Sequence, residues 1–246
     1  MGEPSARWSM DGSSTAARSD RARAAARRDI VRVCRRLYAA GLIAGQDGNV
    51  SVRLPSGTIL VTPAGPCKVD VTESDLVELA LDGAKISGRG VASSDVGMHL
   101  RIYQRRPDVR AVVHAHPPVA TGFSVAGLDF MDDVLPETIF QLGGAPLVPY
   151  AMPGTPALSD AMEPYLALHD AFLLANHGAT TIGPSLLLAH QRMESLEHAA
   201  RILLAARTLG RVNALAPADA DALRVARLAA QAAGHGHSTT PEMTDG

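Results

Sequence analysis

Short alternating strand patterns joined by tight turns constrain the fold of this chain more than any other feature. Residues 50–54 alternate apolar and polar side chains, Pro55-Ser56-Gly57 turns the chain, and residues 59–62 read as the returning strand. Residues 77–81 alternate again before Asp82-Gly83, a pair that is typical of β-hairpins. The first part of the chain therefore predicts hairpins of half-buried strands.

Helical patterns lie around these strands. Apolar residues recur at three- and four-residue steps over residues 28–40, which predicts an amphipathic helix. Ser93-Ser94-Asp95 is typical of a helix start, and that helix should end before Pro107. Further segments are predicted as buried strands over 110–116 and 172–175, a short helix to 126, and helices over 184–209 and 217–232. Because no regular β-α-β alternation is present, we expect a single layered α/β domain.

The composition is that of one folded domain. The chain has 246 residues and 46% hydrophobic residues, enough for a sizeable core. A net charge of −2 gives no reason to expect a nucleic acid or an anionic membrane as partner. No apolar stretch reaches the roughly 18 residues of a membrane span. Two cysteines cannot form a disulfide framework, so we expect a cytoplasmic location.

The two ends of the chain differ from its middle. Residues 1–28 are rich in Arg, Ala and Ser and predict a flexible N-terminal arm. Residues 234–246 are small and polar and predict a flexible tail. This leaves residues 29–233 as the domain. The His235-Gly236-His237 sequence in the tail has no ordered scaffold around it, so we expect no metal site there.

Histidines mark the candidate site. In a strand, His114 and His116 point to the same face, about 6.6 to 6.8 Å apart, so two imidazoles can converge on one ion. His177 follows an apolar strand at a Gly-terminated turn. Three histidines leave an open coordination position, as in catalytic zinc sites. Spacing alone leaves other candidates for the third ligand, namely His99, His169, His190 and His198.

A second group of small residues is suited to an anion. Gly48-Asn49 precedes one strand, residues 62–65 follow the next, and Ser93-Ser94 begins a helix. Exposed backbone N–H groups and the dipole of a helix N-terminus favour a bound anion. Each segment is equally explained as an ordinary turn or cap.

Four segments together resemble the class II aldolase/adducin family. They are "AGQDGNVSVRL", "ILVTPAG", "SSDVGMHLRIYQRRPDVRAVVHAHPP" and "LLANHGATTIG", in order between about Asp29 and Leu209. The resemblance implies a three-layer α/β/α sandwich around a mainly antiparallel sheet. It also implies a homotetramer with active sites near the subunit interfaces and a small sugar or sugar phosphate as substrate.

The resemblance assigns roles residue by residue. His114, His116 and His177 match the metal ligands, and Asp95 matches the acid/base carboxylate. The positions that match the substrate-phosphate site are Gly48, Asn49, Gly65, Ser93 and Ser94. Zn²⁺ suits three imidazoles best, and Mn²⁺, Co²⁺ or Fe²⁺ are compatible with them.

Two positions depart from the family pattern. Asp95 stands where Glu is usual, and the missing methylene withdraws the carboxylate by about 1.5 Å. Because a misplacement of about 1 Å can cost on the order of 100-fold in rate, either the pocket has adjusted or the reaction differs. Ala64 stands where aldolases carry Ser or Thr. Glu137 could supply a compensating carboxylate, or it could simply begin a helix.

The leading interpretation is a metal-dependent class II aldolase, a carbon–carbon lyase. Such an enzyme cleaves a small ketose, here a ketose 1-phosphate, through a metal-stabilised enediolate. The two departures keep a decarboxylase, dehydratase or epimerase of a sugar-like acid or sugar phosphate open on the same scaffold. The alternative of another class is a non-catalytic, adducin-like assembly domain, which the presence of all three histidines disfavours.

Overall fold

An eight-stranded sheet forms the centre of the molecule, for which a computed structural model describes residues 11–131 and 133–234. The strands are β1 (Asn49–Arg53), β2 (Ile59–Val61), β3 (Val77–Leu79), β4 (Lys85–Ser87), β5 (Ala111–Ala115), β6 (Leu147–Val148), β7 (Ala171–Leu174) and β8 (Gly178–Gly183). Their order is β4-β3-β2-β1-β5-β8-β7-β6. All neighbouring pairs are antiparallel except β6 and β7, which confirms a mainly antiparallel sheet.

Helices cover both faces of this sheet. They are α1 (Asp11–Ala39), α2 (Val96–Arg105), α3 (Pro118–Val125), α4 (Pro156–Met162), α5 (Leu186–Thr208) and α6 (Pro217–Gly234). Single 3-10 turns lie at Glu73–Asp75 and Glu163–Tyr165, and a π-helical turn lies at Thr138–Leu142. Within the described residues, no helix combines the length and the apolar character that a membrane span needs.

Alternation along β5 divides the core into two layers. Val113 and Ala115 belong to a cluster that includes Ile30 of α1 and Met193 of α5. Val112 belongs to the cluster on the opposite face, which the side chains of α2 and α4 complete. The predicted α/β/α arrangement is therefore confirmed. His114 shares the face of Val112, because successive strand residues point to opposite sides.

Both predicted hairpins are present, but the start predicted for the first helix is wrong. The helix over 28–40 begins at Asp11. Ala and Arg are strong helix formers, so the Ala- and Arg-rich stretch continues the helix toward the N-terminus. Arg23 also forms an ion pair of 3.1 Å with the buried Glu78 of β3. The flexibility of the arm and the domain bounds 29–233 stay predictions, and residues 235–246 lie outside the described part of the chain.

The sequence did not predict β8, the strand that completes the centre of the sheet. It lies between β5 and β7 and is antiparallel to both. All six of its residues are buried. A strand that is covered on both faces shows no alternation of apolar and polar residues, which is why the pattern was missed. Its position brings the β7–β8 turn, with His177, beside the end of β5.

Candidate active site

Three histidines converge at the end of β5. His114 lies on β5, His116 follows this strand, and His177 lies in the β7–β8 turn. Their potential ligand nitrogens all lie within 4.8 Å of one another. The ring centroids are separated by 4.8 to 5.1 Å. Across residues 11–131 and 133–234, this is the one group of three His, Cys, Asp or Glu side chains with such a separation.

The backbone of the β7–β8 turn makes this convergence possible. Asn176 has a φ of 56°, a left-handed conformation that Asn tolerates better than most residues. At Gly178, a Cβ atom would lie 2.6 Å from the Ala115 carbonyl oxygen and 2.6 Å from Cδ2 of His116. Only glycine therefore allows β8 to pass this close to the end of β5 and to His116.

Hydrogen bonding fixes the tautomer of His114. Its Nδ1 donates to the Ala179 carbonyl oxygen at 2.9 Å, and a carbonyl can only accept. The lone pair of His114 is therefore on Nε2, the atom that faces the other two histidines. Burial lowers the pKa of His114 well below its ordinary value, and the nearby His177 and His116 lower it further. Burial also lowers the pKa of His177, an effect that Asp95 opposes.

Neutral imidazoles in this arrangement fit a divalent cation. Nε2 of His116 lies 3.2 Å from Nε2 of His114. On its other side, Nδ1 of His116 lies 3.4 Å from a carboxylate oxygen of Asp47. If Nδ1 carries the proton toward Asp47, both Nε2 atoms present lone pairs to the same point. A shared cation would relieve that repulsion, and neutral imidazole is the form that binds metals.

Asp95 faces the histidines from the start of α2. Its Oδ1 accepts a hydrogen bond of 2.8 Å from the backbone N–H of Gly154. Its Oδ2 lies 3.7 Å from Nε2 of His114 and 3.9 Å from Nε2 of His177. The side chain makes no capping hydrogen bond to its own helix. Its carboxylate is therefore directed to the histidine cluster by the loop that carries Gly154.

Sequence reasoning missed Asp47 and Gly154. Asp47 is half-exposed and lies in the loop before β1, where it contacts His116. Gly154 has a φ of 73°, so few other residues would hold its N–H toward Asp95 at low cost. The Pro153-Gly154 pair was a readable turn signal. Nothing in the sequence indicated that this turn meets the start of α2.

The residues predicted to bind phosphate lie on three neighbouring segments. Asn49 on β1 is directly opposite His114 on β5. Backbone hydrogen bonds from Ala64 to Val91 and from Ser93 to Thr62 place the Gly65 loop beside the start of α2, where Ser94 also lies. Gly48 has a φ of 72° and a Cβ there would lie 2.8 Å from the His114 carbonyl oxygen. The structure thus brings these positions around the histidine cluster, and their binding role stays a prediction.

The remaining candidates are not members of this cluster. Glu137 is exposed and precedes the π-helical turn, and within the described residues its carboxylate forms no hydrogen bond or ion pair. Nδ1 of the buried His99 lies 2.7 Å from the Ser51 hydroxyl. His190 is close to Glu194, and His198 is exposed on α5. His169, near Asp170, is likewise outside the group. Of the possible third ligands, the structure groups His177 alone with His114 and His116.

Comparison with known proteins agrees with this architecture. The model of the class II aldolase and adducin N-terminal domain matches residues 28–204. The chain belongs to the class II aldolase and adducin family. Enzymes of this family depend on a divalent metal, which fits the three converging histidines.

Individual members of the family are similar over most of this chain. The 3-oxo-tetronate 4-phosphate decarboxylase of Escherichia coli K12 is 36% identical over 181 residues, 72% of this chain and 85% of the relative. The L-fuculose phosphate aldolase of Methanocaldococcus jannaschii is 31% identical over 178 residues, 72% of this chain and 95% of the relative. The crystal structure of Escherichia coli YgbL matches with a TM-score of 0.77 and 33% identity. That comparison covers 82% of this chain and 99% of YgbL.

Proposed function

We propose that this protein is a metal-dependent carbon–carbon lyase that decarboxylates a small, phosphorylated 3-oxo sugar acid. The observation that carries the proposal is the buried carboxylate of Asp95, which Gly154 holds beside two of the three histidines. The similarity to 3-oxo-tetronate 4-phosphate decarboxylases supports this choice of substrate class. His114, His116 and His177 would hold the cation, for which Zn²⁺ is our first choice.

The proposed reaction needs one proton donor. In a 3-oxo acid the bond between C2 and the carboxylate breaks, carbon dioxide leaves, and the electron pair moves toward the ketone oxygen. C2 then accepts one proton. The substrate enters as an ionised carboxylate, so no hydroxyl proton has to be removed. When bound, a divalent cation supplies positive charge for the oxygens that become more negative.

Asp95 is the group that we assign to the transfer of this proton, which it takes from solvent water and passes to C2. Its carboxylate is nearly enclosed, with 8% of the side chain exposed. The N–H of Gly154 occupies Oδ1 and leaves Oδ2 on the side of the histidines. A side chain positioned for proton transfer contributes about 10²- to 10⁴-fold to the rate. The shorter Asp in place of the family's usual Glu is then the feature that fits a reaction other than aldol cleavage.

Aldol cleavage of a ketose 1-phosphate is the second candidate. Cleavage of that bond needs a base for the hydroxyl proton as well as an acid for the carbon. Asp47 is a second carboxylate at the same cluster, on the far side of His116, and its half-exposed position is open to solvent. The similarity to L-fuculose phosphate aldolases also favours this candidate. A homotetramer and a cytoplasmic location stay predictions.

Product analysis separates the two candidates. We expect the metal-loaded protein to convert 3-oxo-tetronate 4-phosphate into carbon dioxide and dihydroxyacetone phosphate. Aldolase activity would instead release an aldehyde together with dihydroxyacetone phosphate from a panel of ketose 1-phosphates. Asp95→Asn should lower kcat by about 10²- to 10⁴-fold because it removes the carboxylate that passes the proton to C2. Efficient aldehyde release with no carbon dioxide from the acid would reject the decarboxylase in favour of the aldolase.

A further inference from the structure

Lys68 is a buried lysine three residues after Gly65 of the predicted phosphate-binding group. It is one of only two lysines in the chain, and it is 2% exposed. Its Nζ donates to the Gln46 carbonyl oxygen at 2.8 Å and to the Pro66 carbonyl oxygen at 3.2 Å. Among the described residues, no carboxylate forms an ion pair with it. Lys68 therefore has two carbonyl acceptors for the three N–H groups of its ammonium.

A buried ammonium that forms no direct ion pair is an unusual and costly feature. Burial lowers the pKa of Lys68, and the charge of Asp47 opposes that effect. Removing a charge from water is unfavourable unless an opposite charge and hydrogen bonds replace the lost hydration. Asp47, the acid next to Gln46 in the chain, has its carboxylate 3.4 Å from His116. The two carbonyl dipoles offset only part of the charge. A bound anion would complete the compensation.

The acceptors of Lys68 connect it to the predicted phosphate-binding loops. Gln46 belongs to the loop that leads into Gly48 and Asn49, and Pro66 directly follows Gly65. The backbone N–H of Lys68 also donates to Gly45 at 3.3 Å. Lys68 thus joins the loop before Gly48 to the loop after Gly65 through these hydrogen bonds.

The predicted phosphate-binding residues are all electrically neutral. They are Gly48, Asn49, Gly65, Ser93 and Ser94. A phosphate monoester carries about −1.5 to −2 charges at neutral pH, and neutral donors alone would have to hold it. None of these residues supplies a positive charge to the phosphate. Lys68, whose acceptors Gln46 and Pro66 lie on the same loops, is a side chain that can supply one.

We infer that Lys68 is a positioning residue for the substrate phosphate, one that holds the Gly48 and Gly65 loops in place and supplies the positive charge beneath them. This inference rests on the proposed phosphorylated substrate. Lys68, which lies outside the family motifs, would then provide the positive charge that balances the phosphate. A purely structural lysine would join the loops without affecting the binding of an anion.

Binding of inorganic phosphate to the metal-loaded protein tests this role by calorimetry. Lys68→Gln keeps an N–H donor and loses the charge, Lys68→Met loses both, and Lys68→Arg keeps the charge. We expect phosphate affinity to fall by about 10- to 100-fold in the first two variants and by less than about threefold in Lys68→Arg, since hydrogen bonds to charged groups are the stronger ones. The matched control is Lys85→Gln, which removes the exposed lysine of β4 that donates to Gly90.

The outcomes separate this inference from the proposed function. If Lys68→Gln binds phosphate as tightly as the unchanged protein, the charge of Lys68 has no role in binding and the inference fails. The proposed lyase function would still stand, because the product assay tests it separately. If the unchanged protein binds no phosphate, the inference fails as well, and the product assay decides the reaction independently. For a variant of low stability, the rise in Tm on addition of phosphate is measured instead of the calorimetric affinity. A rise equal to that of the unchanged protein again rejects the inference.

Discussion

Two buried polar clusters in this molecule differ in whether their hydrogen-bond donors and acceptors are matched. Around Asp170, which precedes β7, three arginines and one glutamine converge on a single carboxylate. Around the histidines, three imidazole rings bring ring nitrogens within 4.8 Å of one another, with Asp95 beside them. In the first cluster donors are matched with an acceptor, whereas the second brings groups of the same kind together.

The Asp170 cluster joins distant parts of the chain. Its Oδ1 lies 3.0 Å from Arg106 at the end of α2. Its Oδ2 lies 2.9 Å from Arg192 on α5 and 2.6 Å from Arg227 on α6. Gln231 donates to the same oxygen at 3.1 Å. The cluster therefore joins α6 and the start of β7 to α5 and the end of α2.

The difference indicates which buried polar groups serve stability and which serve chemistry. A cluster whose donors and acceptors match is complete without a ligand, and its removal should affect folding. A cluster that brings like groups together needs a ligand to match them, and its removal should affect ligand binding more than folding. The following variants test that distinction, in order of expected effect.

Loss of one histidine should abolish the chemistry with little effect on folding. We expect His116→Ala to lose tight metal binding and to lower kcat/KM by on the order of 1,000-fold or more, since a bound cation contributes several kcal/mol to catalysis. His116 is half-buried, so the free energy of unfolding of the metal-free protein should change little. Elemental analysis and steady-state kinetics measure both effects. The control is His198→Ala on the exposed face of α5, and equal metal content in the two variants would contradict the ligand assignment.

Loss of the Asp170 charge should have the reverse effect. Asp170→Asn leaves three arginines without their shared anion, and breaking a buried ion pair from one side costs about 3–5 kcal/mol. Urea unfolding measures that loss, while metal content below the melting transition should stay normal. Asp160→Asn is the matched control, because Asp160 pairs with Arg101 at 3.0 Å but its side chain is 63% exposed. Exposed pairs contribute about 0–1 kcal/mol, so similar losses in both variants would refute the distinction.

Asp47 should act on the metal through His116. A carboxylate that orients a ligating histidine raises metal affinity by about 10- to 100-fold. We therefore expect Asp47→Asn to weaken metal affinity by that factor, measured by competition with a chelator. Asp221→Asn on α6, where the side chain is 73% exposed, serves as the control. An unchanged affinity in Asp47→Asn would show that the contact with His116 is incidental.

The buried His99 should make stability depend on pH. Burial lowers its pKa to about 3, from an ordinary value near 6.5. Between these values the unfolded chain binds a proton that the folded chain excludes, so stability is full above about pH 6.5 and falls as the pH decreases. One such group contributes about 1.4 kcal/mol per pH unit. Urea unfolding at pH 6 and pH 4 should show a smaller difference for His99→Gln than for the unchanged protein, and equal differences would contradict the assignment.

Much of the fold and part of the site could be predicted from the sequence. The hairpins, α2 and α5 follow from local turn, cap and periodicity signals. His114 and His116 share a site because the strand period places them on one face. His177 was a candidate because it follows an apolar strand at a glycine turn, and the family motifs chose it among the other histidines. In contrast, Asp47 could be found only once β1 was known to pair with β5. Continuing the register that sets Asn49 opposite His114 brings Asp47 opposite His116.

The sequence by itself determined where the half-buried strands, the helix caps and the turns lie. It also supplied the residue types that are able to bind a metal. These depend on interactions between residues a few positions apart, which a pattern records. The tertiary structure alone decided that β8 lies between β5 and β7, that Gly154 holds Asp95, and that Lys68 is buried. Each of these is a contact between segments far apart in the chain. Such contacts depend on how whole layers pack, because burial and pairing are properties of the assembled sheet rather than of any local segment.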